Sequence, residues 1–259
     1  MEQETRATTG LRGYRIVVVV YALLVAGLGF SLLGLVSGWF ESGEREVHRL
    51  HDTAWGIFGT IVLTVPVVLT WRNPGSKLAP VQMALLAGAV EVVALALATS
   101  FRGFAFVVIA ILIVPSVLLA AFHPARDRLL RPATRPSPVL LVLALAAAVP
   151  LVWYALGQAE IGRADTTSAH AEEFHWSQMA AIALGFAVAG VLAALRTAGW
   201  RILARAAGIG AALLGVAFLV HADFASAPET MWAWITVAGG LVYLAAAEWE
   251  ARRSAATPG

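Results

Sequence analysis

Eight runs of mostly apolar residues, each about twenty long, decide what this chain can become. They fall at approximately 15–38, 52–71, 79–99, 103–122, 138–157, 175–195, 201–221 and 231–249. A helix crosses the hydrocarbon core of a bilayer in roughly 20 residues, at about 1.5 Å per residue. Inside lipid every backbone N–H and C=O must be paired within the protein, so only helices and closed barrels can cross. Continuous apolar runs lack the alternation of a barrel strand. The chain therefore reads as an all-α integral membrane protein with eight transmembrane helices. Of its 259 residues 59% are hydrophobic and 13% charged, against about 25% charged in a soluble domain.

Charge distribution sets the expected orientation. With the N-terminus in the cytoplasm, fourteen of the eighteen basic residues lie inside, and Arg45, Arg49, Arg102 and Arg163 lie outside. The positive-inside rule then predicts both termini in the cytoplasm. The first run is too long for a cleaved signal peptide and reads as a signal anchor. Most tryptophans sit near run ends, where amphipathic rings meet the headgroups. One lysine, Lys77, among so many arginines, with abundant Ala, Leu, Val and Gly, suggests a GC-rich bacterial genome. The expected location is thus a bacterial cytoplasmic membrane. The lipid bilayer is the expected partner, and nucleic acid is not.

The longest inner loop, 123–137, is rich in Pro and Arg and divides the chain. The expected organisation is an N-terminal tail (1–14), a four-helix half (15–122), this linker, a second four-helix half (138–250) and a C-terminal tail (251–259). Each half has a helix, a long acidic outer loop, a His-bearing helix entrance, a basic inner turn and two further helices. That order reads as a parallel 4+4 internal repeat. Gly27, Gly29, Gly34, Gly208, Gly210 and Gly215 lie within apolar runs, where small residues permit close helix packing.

Chemistry collects at the outer ends. His48, His51 and Asp52 open the second helix; Glu172, Glu173 and His175 open the sixth; His221 closes the seventh, and His170 precedes the sixth. Positions i, i+3 and i+4 share a helical face, so His48 is expected beside His51 and Asp52, and Glu172 beside His175. Imidazole suits zinc, copper, iron and haem. His48, His51, His175 and His221 are therefore candidate ligands of haem or a divalent transition metal, with Asp52 and Glu172 orienting them. The plainer alternative is a set of interfacial histidines beside solvated acidic loops. No cysteine exists, which excludes disulfides, covalent c-type haem and thiolate metal sites. No Gly-x-x-x-x-Gly-Lys-Ser/Thr stretch exists to cradle ATP.

Glu91 lies on the order of 12 Å deep in the third run. An ionisable residue there is a functional candidate by default, as a proton carrier or catalytic acid, with Asp52 completing a site for a lipid or isoprenoid substrate. Arg102 lies eleven residues on, about three turns away, where it would partly neutralise Glu91. A third reading is a small proton-coupled transporter or the subunit of a membrane complex.

Eight helices in a 4+4 order, with histidines opening the second and sixth, resemble the haem A synthase family. That family opens its second helix with Glu-x-x-His-Arg. Here the stretch is Glu46-Val-His48-Arg49, one residue short, and Glu172-x-x-His175 keeps the spacing without the arginine. The resemblance implies haem-linked redox chemistry on the outer side. The family's histidines on the fourth and eighth helices have no counterpart near those outer ends.

Overall fold

The computed structural model describes the backbone of residues 2–101, 103–131, 136–165 and 167–256, and the side chains within them other than those of 2–10, 44–45, 169 and 254–256. Arg102 and the middle of the Pro- and Arg-rich linker, including Arg135, lie outside the described residues. Every regular element described is helical, and eight helices are long and apolar enough to cross a membrane. The chain is a helical protein of the multi-pass membrane kind.

The first span is α1 (Glu2–Ala22), which runs into π-helical turns over Leu23–Leu28. α1 begins within the stretch expected as an N-terminal tail. The single run expected over 15–38 is broken at Gly29–Phe30, where Phe30 turns into the left-handed region at φ 56°. A short helix α2 (Ser31–Ser37) follows. Side chains hold the break: Trp55 Nε1 donates to Gly29 O at 2.6 Å, and Ser31 Oγ donates to Val25 O at 3.1 Å.

The second span starts with a 3₁₀ turn over Gly43–His48 and continues as α3 (Arg49–Gly56), a π-helical stretch (Ile57–Thr64) and α4 (Val65–Leu69). Pro66, which has no N–H to give, follows directly on the widened stretch. The third and fourth spans are α5 (Ala79–Leu97) and α6 (Ala105–Phe122). The fifth, α7 (Pro138–Ala164), is unbroken over 27 residues and outlasts its expected end. A single-turn helix α8 (Ala169–Glu172) precedes the sixth span, α9 (His175–Ala194). The seventh and eighth are α10 (Trp200–Val220) and α11 (Thr230–Ala256).

The second and sixth spans form the centre. In each, 72% of the most apolar stretch is buried, against 17–28% in the first, fourth, fifth and eighth. Helix pairing runs in parallel through the two halves. α1 packs on α6 and α7 on α11; α5 packs on α6 and α10 on α11; α5 also lies against α9, and α10 against the second span. The outer helices turn large apolar side chains such as Val149, Trp153 and Trp234 away from the protein, as lipid contact requires.

Helix centres approach closely where a side chain would intrude. A Cβ on Gly56 would lie 2.1 Å from Leu35 N, and one on Gly34 2.3 Å from Asp52 O, so α2 crosses the second span backbone on backbone. Gly185 of α9 leaves room for the Phe58 ring of the second span. Gly208, Gly215 and Gly240 do the same between α10 and α11. Gly27, by contrast, faces open space. At the opposite end from His48, His51 and His175, Lys77 Nζ donates to Leu69 O at 2.6 Å, capping the second span's last carbonyls. Leu78 N and Ala79 N both donate to Ala198 O, tying the start of α5 to the turn between α9 and α10.

These contacts set a stability contrast. Gly56→Ala forces a methyl against backbone that cannot yield and should cost about 3 kcal/mol or more. Gly157→Ala, with nothing within 4 Å, should be neutral or stabilising by up to about 1 kcal/mol. Thermal unfolding of both variants in mild detergent checks this, and equal melting temperatures would contradict the backbone crossing.

Candidate metal centre

Two breaks in helical geometry bring the histidines together. His48 ends the 3₁₀ turn with φ −96° and ψ −6°, and α3 begins only at Arg49. His48 is therefore not stacked above His51 and Asp52 on one helical face, as the spacing predicts. Its ring reaches across to the sixth span, where His48 Nδ1 lies 2.8 Å from His175 Nδ1. On the other side, Phe174 takes φ 62° between α8 and α9. Glu172 thus does not share a helix with His175. Its neighbour Glu173 places Oε2 3.3 Å from His175 Nε2 instead.

Two groups of potential ligands result, each with its donor atoms within 4.8 Å of one another, and both include His175. The first is His48, His170 and His175; the second is His51, Asp52 and His175. Their hydrogen bonds distinguish them. In the first group His170 Nε2 lies 3.0 Å from Val47 O, a carbonyl that can only accept. His175 Nε2 faces the Glu173 carboxylate, also an acceptor. Each Nε2 therefore carries the proton and each Nδ1 keeps its lone pair, the outer-shell arrangement that orients metal-bound histidines. The ring centroids of the three lie 4.5–5.4 Å apart pairwise. For metal–nitrogen bonds of about 2.0–2.1 Å, tetrahedral ligand nitrogens sit roughly 3.3 Å apart. The 2.8 Å His48–His175 separation needs only a small opening to reach that.

In the second group His51 and Asp52 bind each other, Nδ1 to Oδ1 at 3.0 Å. His51 Nε2 is then the lone-pair nitrogen, and it is buried without a hydrogen-bond partner. The His51 ring stacks on His175 with centroids 3.7 Å apart and planes 20° from parallel. An imidazole binds a metal through a lone pair in its ring plane, so two rings stacked face to face are not turned to hold a haem between them. The arrangement suits a single ion better.

His51 and His175 also wall one end of a cavity of about 500 Å³. Asp52, Glu41, Glu172 and Glu173 share that polar end, and Leu28, Phe30, Leu33, Phe104 and Val108 form the apolar remainder. Carboxylates stand at the starts of two helices here, Asp52 in the first turn of α3 and Glu172 and Glu173 just before α9. There they offset the positive end of each helix dipole and favour a cation nearby.

The other sequence candidates lie elsewhere. His221 belongs to neither ligand group; its ring packs against Trp39 and Phe224, with centroids at 6.0 and 5.6 Å. Glu91 is buried in α5 and is not among the residues that line this cavity, as Asp52 is. Arg102, expected beside Glu91, is outside the described residues. Sequence reasoning missed His170 and Glu173 as site residues. His170 lies five residues before His175 across the Phe174 break, and helical spacing carries no signal for such a pair. Asp165 organises this loop by accepting from Ser168 Oγ, from Ser168 N at 3.1 Å and from Trp176 Nε1 at 2.9 Å. The Ser168 hydroxyl, then Trp176, hold its carboxyl down at about 2. Trp176 stacks on His170 with centroids 5.2 Å apart.

Burial, and then the Arg49 charge, push the His221 imidazole below its ordinary value. A depressed histidine stabilises the fold while neutral, and that contribution is lost as pH falls below about 6.5. His221→Phe keeps ring packing against Trp39 and Phe224 without a titrating group. Between about pH 7 and 5 its melting temperature in detergent should fall less than that of the parent; identical slopes would show that His221 does not titrate on unfolding.

The chain matches no protein-family model, no curated protein and no solved structure.

Proposed function

We propose that this is a multi-pass protein of a bacterial cytoplasmic membrane that binds one divalent transition-metal ion through His48, His170 and His175 on the extracytoplasmic side. The observation that carries the reading is the convergence of three imidazoles from two distant stretches, two with Nε2 held by an acceptor so that Nδ1 bears the lone pair, which in His175 now meets His48 Nδ1 at 2.8 Å. Such tuning has no use in a set of merely interfacial histidines. Nitrogen donors without thiolate suit zinc, copper(II) or nickel(II). Three histidines leave a coordination position for water or substrate, the pattern of reactive rather than purely structural sites. His51, Asp52 and His175 form the competing set, which has a weaker claim because it brings two imidazoles rather than three.

Orientation and internal repeat belong to the same proposal. The bias of arginines toward the ends opposite the histidines supports cytoplasmic termini. The parallel helix pairing of the two halves supports a 4+4 repeat.

Elemental analysis of protein purified in mild detergent should find one transition-metal ion per chain. His175→Ala should abolish it, and Glu173→Gln should weaken binding about 10–100-fold. Unchanged metal content in His175→Ala would sink the reading. Because the chain has no cysteine, sidedness can be read from single cysteines at two exposed serines. Ser42→Cys should react with an impermeant maleimide in intact cells and Ser76→Cys only after lysis. The reverse pattern would invert the topology.

A further inference from the structure

The histidine end opens into space that a metal ion does not fill. The cavity is far larger than an ion's first shell, and most of its lining is apolar. Its rim reaches the outside of the bundle: Leu28, Phe30, Leu33 and Phe104 line it and are 54–62% exposed. In a membrane those side chains face lipid, so the opening is lateral, toward the acyl chains. The break at Gly29–Phe30 forms this mouth, and the Trp55–Gly29 hydrogen bond fixes it.

The polar end is specific. His51 is 7% exposed, and its Nε2 lone pair is buried without a partner while Asp52 holds Nδ1. A buried polar atom without a partner destabilises the fold, and a ligand's donor would remove that cost. That nitrogen needs a hydrogen-bond donor. Four carboxylates, Glu41, Asp52, Glu172 and Glu173, line the same cavity, and no lysine or arginine among the described residues does. A phosphate, diphosphate or carboxylate head would meet like charge. An ammonium head would have to shed its hydration against a mostly apolar lining, while Asp52 and Glu173 are already engaged with imidazole nitrogens; an uncharged hydroxyl enters at lower cost and meets an acceptor.

We propose that the cavity between the first, second, fourth and sixth spans binds a neutral long-chain amphiphile, with its tail entering from the bilayer and its hydroxyl donating to His51 Nε2. This assignment rests on the cavity and His51 and stands apart from the metal reading, since His51 lies outside the preferred ligand set. A membrane alcohol and the phenolic head of a quinol share the chemistry.

Calorimetric titration of the protein in nanodiscs, with empty nanodiscs as the blank, tests it. The probes are dodecanol, 4-dodecylphenol, dodecyl phosphate and dodecylammonium. Saturable binding of one dodecanol or dodecylphenol per chain is expected, and the tighter of the two identifies an aliphatic or a phenolic source. His51→Phe keeps the stacked ring and removes the acceptor, and should weaken binding about tenfold. Leu33→Trp should block binding by filling the mouth. Equal or tighter binding of the phosphate or the ammonium probe would overturn the assignment, as would binding indifferent to both variants. Metal content measured on the same His51→Phe sample separates the two readings. Retained metal with lost alcohol binding supports both, and lost metal with intact alcohol binding moves the ion to the His51 set and overturns the hydroxyl contact.

Discussion

The contact between His48 Nδ1 and His175 Nδ1, 2.8 Å across 127 residues of sequence, is the interaction on which the site depends. It exists only because the second and sixth spans lie side by side at the centre. Lipid supplies no hydrophobic drive to bring helices together, so close packing and polar contacts must do it. Here both act. Gly185 admits the Phe58 ring, and α9 buries Ala180, Ala181, Ala183, Ala189, Ala193 and Ala194 along its length. The imidazoles at the end of that seam would be expensive to bury singly. They are accommodated because His48 and His175 bond each other, Glu173 and Val47 O take the outer nitrogens of His175 and His170, and Asp52 takes one nitrogen of His51.

Much of the fold was legible because hydropathy depends on composition more than on neighbours. All eight spans and the placement of histidines at the entrances of the second and sixth could be read that way. What could not be read depends on lateral contacts. The break at Phe30 has no turn signature in the sequence, since phenylalanine seldom adopts positive φ. Trp55 and Ser31, fixed from elsewhere, hold it there. Helical spacing placed His48 over His51 and Glu172 beside His175, but both pairs straddle a change of helix. His221 was placed at the right end of the bundle, and depth in the membrane says nothing about the direction a ring faces.

Glu91 shows the same limit in another form. Its depth made it the most expensive carboxylate in the chain and hence a candidate acid. Its position in α5 keeps it off the cavity that holds Asp52, His51 and Glu173. Four carboxylates line the cavity at the histidine end, and two of them, Asp52 and Glu173, are engaged with imidazole nitrogens.

The two halves pair their helices in the same order but differ where the cavity lies. In the first half, α1 passes into π-helical turns and stops at Gly29–Phe30, and α2 swings onto the second span. The helix in the corresponding place of the second half, α7, runs unbroken for 27 residues, even through Pro150, and packs along α9. An intact helix covers its neighbour; a broken one leaves a gap the width of its missing turn. The gap opens on the side of the second span that carries His51 and Asp52. Similar helix pairing on the two sides of the linker therefore goes with different cover, and this cavity lies beside the broken helix. The local cause is a tryptophan indole that holds Gly29 O in a conformation the sequence does not otherwise favour.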